Sequence, residues 1–336
     1  MSEAARPFDD DPAARAAGGG TAIGRLLRAR EGGLVLIILL LFMVMSVASP
    51  YFLTWENMRA MTMAFAVEGI VVVGMTILLI SGGIDLSVGS VVAFAMVLAG
   101  WLFLSGVDPW VASGMAILAS AGIGAAMGFC VTRIGLHHFI VSLAFMVIAR
   151  GACLLLTGGR PLGLFTLPPV FKFIGQGSIG VIPFVIIIFV VFVIVFDFLL
   201  RRSTAFRKVF YTGSNEKAAA YSGIRTKRVI FFTTVLCSTL AGVAGIIYMA
   251  RFGSAQPTFG IGMELNVIAA AVIGGASLSG GQGSVYGAIL GAILLSVVSS
   301  SLALLDVSVY WQDIIRGSIL LAAVSFDHYL HRHKTR

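Results

Sequence analysis

Three acidic residues, Glu68, Asp85 and Glu264, stand inside or beside long apolar runs, and Asp85 has an unusual setting: residues 80–91 read ISGGIDLSVGSV. A carboxylate there can accept hydrogen bonds from the free N–H groups of a following helix, contact a polar substrate, or hold a cation or proton. Glycine pairs relax backbone limits and break helices. The polar groups freed by a break cannot face hydrocarbon and must be covered by protein or by a watery cavity. Residues 273–285, IGGASLSGGQGSV, repeat the pattern. Gly82, Gly83, Asp85, Leu86, Ser87 and Gly89 correspond to Gly274, Gly275, Ser277, Leu278, Ser279 and Gly281, and a run containing an acid, Glu68 or Glu264, precedes each copy. Because Ser277 replaces the aspartate, both copies need a helix break with a polar cap, and a charge is needed at most once. Capping is therefore the leading role for Asp85, with contact to substrate or ion left open.

The other reactive side chains exclude chemistry. No GxxxxGK[ST] stretch is present to cradle ATP phosphates, so energy must be borrowed from a partner. No nucleophile stands at recognisable spacing from a base, so no catalytic residue is assigned. Cys130, Cys153 and Cys237 each stand alone in apolar sequence, His137 and His138 lie at a helix junction, and His328, His331 and His333 belong to a basic tail, so no metal ligands are assigned. The net charge of +8 does not mark a nucleic-acid groove, because the basic residues cluster at the edges of apolar runs.

The elements that must position these residues are membrane helices. Of 336 residues 58% are hydrophobic and 11% charged, whereas soluble domains carry about 25% charged residues. Apolar runs lie at about 33–49, 62–81, 90–106, 110–132, 139–157, 180–200, 229–250, 265–279, 284–304 and 312–328. The expected fold is an all-α integral membrane protein of about ten transmembrane helices, several short or broken, with an internal, inverted repeat. Residues 1–32 form a cytoplasmic tail, 33–328 one transmembrane domain with a cytoplasmic loop at 201–228, and 329–336 a cytoplasmic tail. The first run reads as an uncleaved helix. Lysine and arginine number five in the first tail, one at Arg133, eight in 201–228 and three in the last tail, against Arg59, Arg160, Lys172 and Arg251 outside. That bias puts both termini inside, and Trp55, Trp101, Trp110 and Trp311 fall near the proposed outer edges. Glu68 reads as lying near the outer interface, and Arg150 and Arg251 as snorkelling to it.

The loop RRSTAFRKVFYTGSNEKAAAYSGIRTKR contains a helix-forming stretch at 215–221, with Asn215 as N-cap, Glu216 in the first turn and Gly223 as stop. Its alanine-rich face is too weakly apolar for a lipid surface, which favours docking to a cytoplasmic partner.

ISGGIDLSVGSVVAF followed by GIGMELNVIAAAVIGGASLSGGQGSVYGAILGA resembles the paired signatures of the monosaccharide-type ABC importer permeases, the ribose, xylose and galactose class. TGSNEKAAAYSGI is similar to that family's loop G-x-N-x-x-A-A-x-x-x-G-I, which contacts the ATPase. The resemblance spans about residues 60–320. It implies a permease subunit in the bacterial inner membrane that pairs with a second permease, is driven by a cytoplasmic ABC ATPase holding ATP and Mg, and receives sugar from a periplasmic binding protein. It also implies ATPase coupling through Gly213, Asn215, Glu216, Ala218, Ala219 and Gly223. The translocation path or gate is expected at Gly82, Gly83, Asp85, Ser87, Gly89, Glu264, Asn266, Gly274, Gly275, Ser277 and Ser279. Asn266 and Val267 stand where Asp-Ala is frequent in the family, and Tyr221 where Arg or Asn is usual. Two other functions share parts of the pattern. One is an ion-coupled secondary transporter using Glu68, Asp85 and Glu264. The other is a branched-chain amino acid importer permease, with the same architecture and a zwitterionic cargo.

Overall fold

The computed structural model describes residues 30–332. The expected amino-terminal tail lies almost wholly outside the described residues, as do the last four residues of the carboxyl tail.

Each of the ten apolar runs contains a helix. These are α1 (Arg30–Ala48), α2 (Trp55–Ile80), α3 (Val88–Leu104), α4 (Pro109–Phe129), α5 (His138–Thr157), α7 (Phe184–Arg202), α10 (Thr226–Phe252), α11 (Met263–Ile273), α12 (Val285–Leu304) and α13 (Val309–Arg332). Three short helices complete the set among the described residues: α6 (Pro169–Gln176), α8 (Thr204–Ser214) and α9 (Glu216–Tyr221). A π-helical turn at Cys130–Ile134 prolongs α4 and ends at Gly135. Among the described residues seven helices are long and apolar enough to cross a bilayer, while α3 and α11 are shorter apolar helices. The chain is thus a helical membrane protein. The β structure of the described residues is two small antiparallel pairs, Leu162–Gly163 with Ser254–Ala255 and Ser178–Ile179 with Ile182–Pro183.

The core follows from hydrophobicity all round a helix. Residues 69–80 of α2, GIVVVGMTILLI, have no polar face, and every one of them is buried. The middle of α10 is buried as well, and it crosses α4 where small residues face each other, Gly124 against Ser238 and Gly242 against Ser120. Apolar side chains of α2, α3, α10 and α11 join in one continuous cluster.

Three boundaries differ from the sequence reading. Helix α2 begins at Trp55, capped by Thr54, whose hydroxyl accepts from the Asn57 N–H (3.4 Å). The polar first turns hid this start. Glu68 therefore sits about 20 Å along the helix, near its middle and not near the outer interface. The run 265–279 is helical only to Ile273, because Gly274 and Gly275 stop it. The connection 201–228 contains a helix that was not anticipated, α8, whose Phe206 and Val209 are buried and whose Phe206 ring lies against Phe196 and Phe232.

Candidate functional site

The first break follows α2. Gly82 has φ +88°, its N–H donates to Leu79 O (2.9 Å), and the Gly83 N–H donates to Leu78 O (3.0 Å), so the last carbonyls of α2 are satisfied by a left-handed stop. The chain then turns at Asp85, which is fully buried. Its Oδ1 accepts from the Ser87 N–H (2.7 Å) and the Ser87 hydroxyl (2.6 Å), and α3 starts at Val88. This is an Asx turn that leads into the helix; contrary to the expected cap, Asp85 does not reach the exposed N–H groups of α3, whose start has no side-chain cap. His138 covers the turn: Nδ1 donates to Ile84 O (2.6 Å), and Nε2 lies 3.0 Å from the Thr234 hydroxyl.

The second break repeats these bonds. Gly275 has φ +103° and donates to Val272 O (3.0 Å), and the Ala276 N–H donates to Ala271 O (2.9 Å). The Ser277 hydroxyl accepts from the Ser279 N–H (3.2 Å), as Asp85 does from Ser87. The positive-φ glycines that stop the two helices are Gly82 and Gly275, so these stops are offset by one residue from the pairing read off the sequence. One extra residue between stop and turn in the first copy absorbs the difference. Helix α12 begins later, at Val285, with the Ser284 hydroxyl accepting from the Gly287 N–H (3.3 Å).

The loop helix α9 has the caps its sequence encodes. Asn215 Oδ1 accepts from the Ala218 N–H (2.9 Å), and Gly223, at φ +83°, ends it, with its N–H on Ala220 O. Glu216 accepts from the Thr226 hydroxyl (3.2 Å), which ties α9 to the start of α10. Only Ala219 is buried; Glu216, Ala218 and Tyr221 are exposed, and α9 forms a knob.

The sequence did not reveal that these three segments meet. The Gly281 N–H, in the second break, donates to the carbonyl of Ile80, the last residue of α2 (2.8 Å). Gly213, at the end of α8, is wedged against both. A Cβ there would lie 1.8 Å from Ile80 O and 2.7 Å from Gly281 N, and one on Gly280 would lie 2.7 Å from Gly213 O. Only backbone fits at this crossing. Beside it a cavity of about 540 Å³ is lined by Gly82, Gly83, His138, Gly213, Asn215 and Glu216, so the first break and the base of the knob share one space.

The remaining candidates lie elsewhere. Gly89, early in α3, packs against the backbone of Gly260, and Glu264, at the start of α11, lies beside it, with Oε1 accepting from the Gly262 N–H (3.2 Å). Asn266 is half-buried two residues further along α11, Gly274 is buried against the backbone of Gly287, and Ser279 is exposed. Arg150 does not snorkel: its Nη1 donates to the carbonyls of Pro257 (2.6 Å) and Phe259 (2.8 Å). Glu68, Asp85 and Glu264 are not brought together, and no three His, Cys, Asp or Glu side chains among the described residues group as a metal ion needs.

Comparison with known proteins agrees with this architecture. The family model described as branched-chain amino acid transport system / permease component matches residues 57–324. The ribose import permease protein RbsC of Escherichia coli is 36% identical over 297 residues, covering 88% of this chain and 92% of that one. The L-arabinose ABC transporter permease protein AraH of Azospirillum brasilense is 32% identical over 336 residues, covering 98% and 97%. The D-allose transport system permease protein AlsC of Escherichia coli is 32% identical, covering 85% and 88%. No solved structure matches the chain. The chain therefore belongs to the branched-chain amino acid transport system / permease component family, as a multi-pass membrane subunit similar to the permeases of ABC sugar importers.

Proposed function

We propose that the chain is the transmembrane subunit of an ATP-driven importer that moves a monosaccharide from the periplasm to the cytoplasm. It works with a second permease subunit, a cytoplasmic ABC ATPase and a periplasmic sugar-binding protein. The observation that carries this reading is the junction at Gly213, where an exposed knob, α9, is joined through the end of α8 to both helix breaks. A push on α9 has a short backbone route to Gly82–Gly89 and to Gly274–Gly281, and packed backbone with no side chains between transmits displacement instead of absorbing it. The names of the ribose, arabinose and allose permeases support the sugar class.

In this account the ATPase holds ATP and Mg and engages Glu216, Ala218 and the rest of α9. The bundles then rock between outward- and inward-open states. Asp85 and Ser277 hold the ends of the breaks, and Gly82, Gly83, Ser87, Gly89, Glu264, Asn266, Gly274, Gly275 and Ser279 belong to the gate or path. Residues 33–328 form the membrane domain, about ten spans are reached by counting α3, α11 and α13, and both termini face the cytoplasm of a bacterial inner membrane.

The test is uptake by vesicles containing the chain with its ATPase, supplied with binding protein and labelled D-ribose, L-arabinose or L-leucine. Sugar accumulation that needs ATP is the expected result. Accumulation of leucine with neither sugar would assign the chain to amino acid import.

A further inference from the structure

A second cavity, of about 360 Å³, opens on the side of the bundle between the start of α3, the middle of α5 and the start of α11. Its polar lining is Ser90, Arg150 and Glu264, and its rim includes Val147, Gly151 and Ile261. Arg150 lies about 18 Å along α5 from His138, which places the cavity at mid-membrane depth. The non-helical segment 256–262 reaches this depth too, pinned by Arg150 through two carbonyls and by Gly260 against Gly89. One oxygen of Glu264 is held by the Gly262 N–H, and the rest of the Arg150 guanidinium has no hydrogen bond among the described residues.

A guanidinium, a carboxylate and irregular backbone cannot be turned toward lipid; at this depth they are tolerated only against protein or water. Yet the cavity is open at its rim, where Val147 and Ile261 are 66% and 71% exposed. We infer that this face of the bundle lines the aqueous path, and that Ser90, Arg150 and Glu264 form the half-site past which the sugar moves; the sugar identity rests on the import reading above. A polyol can donate hydroxyls to Glu264 and accept from Arg150, and one positive with one negative group suits a cargo of no net charge, a sugar or a zwitterion, better than an anion or a cation. The volume lies within the roughly 300–1,000 Å³ of small-molecule sites. No aromatic ring among the described residues lines the cavity, so holding is weak, as a path requires when a soluble receptor supplies selection.

Gly151 allows a test that leaves the bundle intact, since a Cβ at this rim position meets nothing within 4 Å. In the assembled complex with ATPase and binding protein, Gly151→Phe fills the cavity and Gly151→Ala does not. Uptake of D-ribose or L-arabinose should fall roughly tenfold or more in Gly151→Phe, as steric exclusion from a path demands, while ATP hydrolysis persists and Gly151→Ala matches wild type. Equal uptake by the two variants overturns the inference. A second arm does not depend on the sugar. With Cys130 replaced by alanine, Ile261→Cys in the complex should react with a charged, membrane-impermeant maleimide, and reaction only with a membrane-permeant one overturns the inference. A wild-type complex that imports neither sugar counts against the import reading, and the maleimide arm still decides whether water reaches the cavity.

Discussion

Replacing Gly213 by alanine places one methyl group where three backbones cross. Its carbon would stand 1.8 Å from Ile80 O, whereas ordinary contact begins near 3.4 Å, so the strands must part by roughly 1.6 Å. The Gly281 N–H to Ile80 O bond, 2.8 Å long, does not survive that displacement. Overpacking costs about 1–3 kcal/mol and the lost hydrogen bond about 1 kcal/mol, together about 2–4 kcal/mol against the closed junction. At 1.4 kcal/mol per decade, its population relative to an opened form drops about 30- to 700-fold. The assay is paired uptake and ATP hydrolysis by the reconstituted complex. Uptake should fall to background, and the ATP hydrolysis that remains should no longer respond to loaded binding protein. Gly122→Ala is the control, since a Cβ there meets nothing within 4 Å. If Gly213→Ala and Gly122→Ala behave alike, the junction carries no coupling and the reasoning fails.

Other substitutions probe the supporting parts. Asp85→Asn keeps an acceptor for the Ser87 N–H, so import should stay within about threefold of wild type, under 1 kcal/mol; Asp85→Ala strips both bonds from a buried turn and should lower stability by about 1–3 kcal/mol in thermal unfolding. Loss of import in Asp85→Asn with normal assembly would assign a role to the charge. Asn215→Ala removes the cap of α9 and should cost about 1 kcal/mol, read as weaker ATPase association, with Asn215→Ser restoring it. Met75→Ala in the wholly buried part of α2 should lower unfolding stability by about 2–5 kcal/mol without changing which cargo is transported.

What was legible in the sequence was local. Gly82, Asp85 and Ser87 encode a stop and a turn within a few residues, and Asn215 and Gly223 encode the ends of α9, so both features could be read from spacing. The one-residue offset between the breaks was not, because matching Gly-Gly pairs hides which glycine takes the positive φ. Helix α8 left a signal in Phe206, Val209 and Phe210, spaced three and four apart after Ser203, which the surrounding charges masked. The crossing of Ile80, Gly213 and Gly281 left none: its partners are backbone atoms, and Gly213 and Gly281 read equally well as turn residues. Arg150 misled for a related reason. Its partners are carbonyls of a segment more than a hundred residues away, and proximity to a helix end suggested snorkelling instead.

The central claim is that this chain moves a sugar only when ATP hydrolysis acts through it. The most direct measurement is sugar accumulation in sealed vesicles holding the complete complex, with ATP supplied or withheld and with an imposed proton or sodium gradient in place of ATP. Accumulation with ATP, unaffected by collapsing the ion gradients, and none with a gradient alone, is the expected result. Accumulation by the chain without its ATPase, driven by an ion gradient and abolished by substitution of Glu68 or Glu264, would contradict it.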